Sequence, residues 1–234
     1  MTVKVKICGV RTPAILDAAV AAGADLVGFV FFAKSPRNLS LEEAEALADA
    51  ARGRVGTVAV VVDPDDALVD AVAKLVRPDF FQLHGAETPD RVAAIKARTG
   101  IPVFKAIPVA AVSDVSAADA YAAIADQILF DAKATQGAEL PGGNGVAFDW
   151  TMLTGARAPF ALSGGLDASN VAEAVRRTGA ALIDVSSGVE TAPGEKDATL
   201  ITQFIQAARS AAPQHATPQH AKGRESAPNH AKAS

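Results

Sequence analysis

The chain has 234 residues, half of them apolar, enough for one sizeable core; two ordinary domains are the alternative on length alone. A net charge of −4 gives no reason to expect nucleic acid, whose binders carry a basic stripe, and no apolar run reaches the roughly 18 residues of a membrane span. A single cysteine excludes an internal disulfide and fits a reducing, cytoplasmic setting, and neither CxxC nor HExxH is present to support a zinc site.

Met1 leads straight into a strand-like run with no signal-peptide layout. Short apolar runs then recur in order: Val3–Cys8, Leu26–Phe32, Val55–Val62, Phe80–His84, Val103–Pro108, Gln127–Asp131, Phe160–Ser163 and Leu182–Ser186. They are rich in Val, Ile and Phe and mostly do not alternate, as strands covered on both faces read. Ala-rich stretches with helical spacing separate them. In Leu41–Arg52 the apolar set Leu41, Ala44, Leu47, Ala48 and Ala51 holds one face, and Ser40 with Glu43 predicts a capping box. Thr12-Pro13 and Thr88-Pro89 mark helix starts, while Gly23, Gly53, Gly100 and Gly179 fall where helices should stop.

Strand then helix, eight times, implies parallel strands joined by right-handed crossovers. Such a series most often closes into a (β/α)₈ TIM barrel, with a doubly wound open sheet as the alternative. The α/β barrel is expected over residues 1–210 and a disordered Pro/His/Ala-rich tail over 211–234. In that tail Pro-(Gln/Asn)-His-Ala repeats at Pro213, Pro218 and Pro228 and brings His215, His220 and His230. It reads as a solvated extension, with weak metal binding as the sharper alternative.

Barrel active sites lie at the C-terminal ends of the strands. The polar residues there are Cys8, the run Lys34 to Arg37, Asp63, Gln82 with His84, Lys105, Asp131 with Lys133, Ser163 to Gly165, and Ser186 to Gly188. Ser163, Gly164 and Gly165 after the seventh strand and Ser186, Ser187 and Gly188 after the eighth suit a phosphate site, where backbone amides approach an anion unobstructed. Ordinary tight turns are the plain alternative. The Pro141–Gly145 segment is an amide-rich loop that either covers the ligand, adds to the phosphate site, or does neither. Cys8 is either an inert small hydrophobe or a thiolate base. Asp131 follows an apolar run, which suits a semi-buried proton donor; a salt bridge to Lys133 or Lys105 is the alternative. Arg37 is placed to pair with a carboxylate or phosphate, or is a solvated charge. His84 alone on its strand reads as a silent core or rim histidine.

Seven segments in this order carry a family resemblance: KICG (Lys6–Gly9), SPR (Ser35–Arg37), QLHG (Gln82–Gly85), DAK (Asp131–Lys133), GGNG with FDW (Gly142–Gly145, Phe148–Trp150), LSGGL (Leu162–Leu166) and DVSSGVE (Asp184–Glu190). Over about residues 3–207 the chain resembles the phosphoribosylanthranilate isomerases of tryptophan biosynthesis. Asn144 departs from the Thr or Ser expected in the GGNG loop, and the tail has no counterpart in the family. The resemblance implies an Amadori rearrangement of N-(5-phosphoribosyl)anthranilate to the 1-deoxyribulose 5-phosphate isomer, without metal or organic cofactor. It implies Cys8 as general base, Asp131 as general acid, Arg37 at the anthranilate end, and the SGGL and SSG loops on the phosphate. Gln82, His84, Gly143 and Gly145 complete the substrate-binding candidates. A small-molecule substrate, no nucleic acid or membrane partner, and a monomer or homodimer are expected. The histidine-pathway isomerase is a rival, though its first strand would end in a carboxylate. Indole-glycerol-phosphate synthase would want Lys and Glu at several strand ends, and a non-catalytic sugar-phosphate binder would not need Cys8 and Asp131.

Overall fold

The computed structural model describes residues 2–133, 149–156 and 159–211. Eight parallel strands close into a barrel in sequence order: β1 (Lys4–Cys8), β2 (Leu26–Phe31), β3 (Gly56–Val61), β4 (Phe80–Leu83), β5 (Val103–Val109), β6 (Gln127–Ala132), β7 (Ala161–Leu162) and β8 (Leu182–Val185). Closure is the β8–β1 pairing, with Lys6 opposite Asp184. This decides for the barrel over the open sheet. The expected runs match the strands to within one or two residues at each end, because long apolar runs without alternation require cover on both faces.

Helices α1 (Pro13–Ala22), α2 (Leu41–Ala51), α3 (Asp66–Ala71), α4 (Pro89–Thr99), α5 (Val112–Ala117), α6 (Val171–Thr178) and α7 (Ala198–Ser210) supply the outer cover. Their ends follow from capping chemistry. The Thr12 side chain accepts from the Ile15 amide, Thr88 from Arg91, and Ser40 and Glu43 complete a reciprocal capping box. Gly23, Gly100 and Gly179 stop α1, α4 and α6 in the left-handed region; Gly53 falls one residue past the α2 cap, Arg52. Between β6 and β7 the described residues form a short 3₁₀ turn, Trp150–Leu153. After β8 a 3₁₀ turn, Ser187–Val189, leads into a small antiparallel hairpin, β9 (Glu190–Ala192) and β10 (Glu195–Lys196), before α7.

Strand alternation divides the core in two. Val5, Ile7, Val27, Phe29, Phe81, Leu83, Phe130 and Ile183 face the helices. Cys8, Leu26, Val30, Val58, Val60, Phe104, Ala106, Leu129 and Leu182 fill the barrel interior. By the same parity Lys6, Gln82, Asp131 and Asp184 point inward. The expected tail lies outside the described residues, except that Ala211, assigned to it from the sequence, is buried against the core. Among the described residues no helix is long and apolar enough to cross a membrane.

Candidate active site

Inside the barrel Lys6 extends from β1 with no exposed surface. Its Nζ donates to Asp184 Oδ1 at 3.0 Å, on the neighbouring strand, and to Gln82 Oε1 at 2.8 Å, on β4. Burial opposes its charge, but Asp184 and Cys8 outweigh that and hold the ammonium above its ordinary range. The Lys6 bond also decides the next one. With Gln82 Oε1 accepting from an ammonium, its Nε2 donates to His84 Nδ1 at 2.8 Å. Nδ1 is then the accepting nitrogen, so the ring proton sits on Nε2, which donates to Asp131 Oδ2 at 3.0 Å. The Ala132 amide donates to Asp131 Oδ1 at 2.9 Å. Two donors therefore orient the carboxyl group, and each oxygen keeps a lone pair for a proton in transit.

Cys8 ends β1 and is 7 % exposed. Burial pushes its thiol up; Lys6 pulls it down, Asp184 pushes it up and Lys196 pulls it down, in decreasing order, and the net shift is upward. Ser186 Oγ donates to the Cys8 carbonyl at 3.1 Å and ties the ends of β1 and β8 together. The hairpin returns Lys196 to the same place. Its Nζ, nearly sealed from solvent, donates to the Ser186 carbonyl at 3.1 Å and to Glu190 Oε1 at 2.9 Å.

A concave pocket opens at this end of the barrel. Cys8, His84, Asp131 and Asp184 line it, with Ser163, Gly164, Gly165, Ser186 and Ser187 from the loops after β7 and β8. Gly164 has φ +91°, and a side chain there would collide with the Ala132 amide and stand 2.8 Å from Asp131 Oδ1. Glycine thus lets the loop close onto the carboxylate. Among the described residues, the amides of Gly164 and Gly165 donate to no protein acceptor. Val30, Phe32, Val60 and Val62 form an apolar wall on the β2–β3 side, beside Arg37. Such a cavity offers amides suited to an anion, an apolar wall, and a thiol and a carboxyl group able to exchange protons.

Most of the expected site residues meet in this cavity, with differences in their partners. Asp131 does not pair with Lys133 or Lys105. Lys105 has the parity of Val103 and Ile107, faces the helices and binds Glu87 Oε2 at 2.7 Å, while Lys133 is exposed past the end of β6. His84, read as a hydrogen-bonded, silent core or rim histidine, is hydrogen-bonded to Asp131 and lines the cavity. Gln82, expected on the substrate, has no exposure; it lies beneath the cavity, committed to Lys6 and His84. Gly188 is outside the lining, pressed against the Leu166 carbonyl. Arg37 is not a solvated charge. It lines the cavity, but its Nε and Nη2 form a bidentate pair with Glu190, both at 2.7 Å, leaving Nη1 for a ligand. Burial opposes ionisation of Glu190, but Arg37 and Lys196 overcome it and hold the carboxyl below its usual range. Gly143 and Gly145 lie outside the described residues.

Sequence reasoning missed Lys6, Asp184, Glu190 and Lys196 as parts of the site. Parity along β1 could have found Lys6, two residues from Cys8 on the same face. Lys196 carried no signal, since a hairpin of three and two residues has no readable period.

The family model for N-(5'phosphoribosyl)anthranilate (PRA) isomerase matches residues 5–207. An N-(5'-phosphoribosyl)anthranilate isomerase of Rhodopseudomonas palustris (strain BisA53) is 56 % identical over 212 residues, 90 % of this chain and 97 % of that protein. One from Paramagnetospirillum magneticum is 53 % identical, covering 91 % of this chain and all of its own length. Among solved structures, phosphoribosyl anthranilate isomerase from Thermotoga maritima superposes with a TM-score of 0.81 at 36 % identity, over 89 % of this chain and 99 % of that one. Another phosphoribosyl anthranilate isomerase structure, in complex with reduced 1-(o-carboxyphenylamino)-1-deoxyribulose 5-phosphate, gives a TM-score of 0.78 at 34 % identity, over 89 % of this chain and 99 % of that one. The cavity and these matches lead to one conclusion: the chain belongs to the N-(5'-phosphoribosyl)anthranilate isomerase family.

Proposed function

We propose that the chain converts N-(5-phospho-β-D-ribosyl)anthranilate to 1-(2-carboxyphenylamino)-1-deoxy-D-ribulose 5-phosphate in tryptophan biosynthesis, with Asp131 as general acid and Cys8 as general base. One observation supports the assignment of roles above the others. Cys8 ends β1 and Asp131 lies one residue before the end of β6, and the two strands between them in the closed barrel, β7 and β8, carry the anion-suited loops. A phosphate held by Ser163, Gly164, Gly165, Ser186 and Ser187 hangs its ribose between acid and base. The aromatic ring then lies toward Val30, Phe32, Val60 and Val62, with its carboxylate near Arg37 Nη1.

Asp131 gives a proton to the furanose ring oxygen. The C1–O bond breaks, and the anthranilate nitrogen's lone pair forms the C1=N iminium. The Cys8 thiolate then takes the proton from C2; the C–H electron pair becomes C1=C2, and the nitrogen recovers its pair. The resulting enol loses its hydroxyl proton as C1 gains one, leaving the ketone. Phosphate at one end and carboxylate at the other hold the sugar for both transfers, the kind of positioning that lowers barriers by pre-organisation. A cytoplasmic monomer or homodimer completes the reading. The test is turnover of freshly made substrate, followed by loss of anthranilate fluorescence. Purified protein is expected to convert it; no conversion where a control isomerase works contradicts the assignment.

A further inference from the structure

Lys6 has a place in the site that the acid–base pair alone does not explain. An ammonium has three N–H donors, and two are accounted for by Gln82 Oε1 and Asp184 Oδ1. With no exposed surface, it has no route to bulk water. Cys8 lies two residues further along β1 on the same inward face. On β2, Gly28 stands in register with Cys8. A side chain at Gly28 would begin 3.0 Å from Cys8 Sγ and 3.3 Å from Lys6 Cε. The lysine stem and the sulfur therefore border one space, kept open by the missing side chain.

We infer that Lys6 is a positioning residue that supplies the counter-charge for the Cys8 thiolate, and that Asp184 limits how much of that charge the sulfur feels. The inference rests on the reading of Cys8 as the base. Of the groups that favour the thiolate, Lys6 acts most strongly, against burial and Asp184, and Lys196 adds to it from the hairpin. Arg37, His84 and Asp131 line the same cavity, with Arg37 largely neutralised by Glu190. Proton transfer from substrate carbon turns the thiolate into a thiol. The ammonium favours the state before that transfer and the Asp184 carboxylate favours the state after it. The pair tunes the base without touching the substrate carbon.

Cys8 is the chain's one cysteine, so the rate of iodoacetamide alkylation against pH reads its ionisation directly. In the full chain, Lys6→Met is expected to move the profile to higher pH and Asp184→Asn to lower pH. Each shift should be about one unit or more, a tenfold change in thiolate fraction at fixed pH. A purely structural role moves neither profile, or moves both the same way, and either result overturns the inference. Should Lys6→Met fail to fold because it strands the Asp184 carboxylate, Asp184→Asn decides alone. It keeps an acceptor for the ammonium at the same place, and an unmoved or raised profile overturns the proposal. Turnover of Cys8→Ser is a separate readout. Opposed profile shifts with an active Cys8→Ser leave the Lys6 role standing and remove the base reading. Unmoved profiles with an inactive Cys8→Ser do the reverse.

Discussion

Lys6 and Lys105 are both buried barrel-strand lysines, at 0 % and 2 % side-chain exposure, and each meets one carboxylate. Lys6 points into the barrel and holds two side chains: Gln82, which leads on through His84 to Asp131, and Asp184, which lines the cavity with Cys8. Lys105 points toward the helices. Its Nζ donates to the Gly85 carbonyl and to Glu87 Oε2, both at 2.7 Å, with the Tyr121 ring 5.8 Å away. Glu87 in turn accepts from the amides of Asp63 and Gly85, so the pair ties the loops after β3 and β4 to each other. The two ion pairs use the same chemistry. Parity along the strand decides whether it lies inside the barrel beside the candidate site or in the scaffold around it.

Removing one partner of a buried pair leaves an uncompensated charge, which costs about 3–5 kcal/mol. Lys105→Met is therefore expected to produce a large loss of stability, with Tm lower by about 10 °C or more. At a temperature where the variant is folded, its kcat should stay within about threefold of the parent, a difference below 1 kcal/mol. Thermal melts and steady-state assays on the same preparation check both. A large fall in kcat with an unchanged melt breaks the contrast between the two lysines. The smallest expected effect belongs to the outer layer. Ser40→Ala removes one half of the α2 capping box and should cost about 1 kcal/mol, read from denaturant midpoints, with turnover unchanged. Between these lie the opposed alkylation shifts of Lys6→Met and Asp184→Asn, which sharpen the inward half of the comparison.

Much of the barrel was legible because parallel strands buried on both faces leave long Val/Ile/Phe runs, and because Thr12, Ser40, Thr88, Gly23, Gly100 and Gly179 act through local backbone chemistry. Cys8, Asp131 and the loops after β7 and β8 were legible as strand ends. Their partners were not, since partnership depends on register and reach across the barrel. Arg37 finds Glu190 across 153 positions of chain and His84 finds Asp131 across 47. Lys105 looked like a partner for Asp131 until parity turned it outward. Gln82 looked like a substrate contact until its amide proved committed on both sides.

The central claim is that Cys8 and Asp131 move the two protons that drive the rearrangement, and kcat of the single variants Cys8→Ser and Asp131→Asn tests it most directly. A serine hydroxyl is far too weakly acidic to supply the anionic base, and an asparagine has no proton to deliver to the ring oxygen. Each variant, folded as judged by circular dichroism, is expected to turn over at least about a hundredfold more slowly than the parent, the scale of general acid–base catalysis. Either variant working within about tenfold of the parent, a difference of roughly 1.4 kcal/mol, would contradict the assignment for that residue.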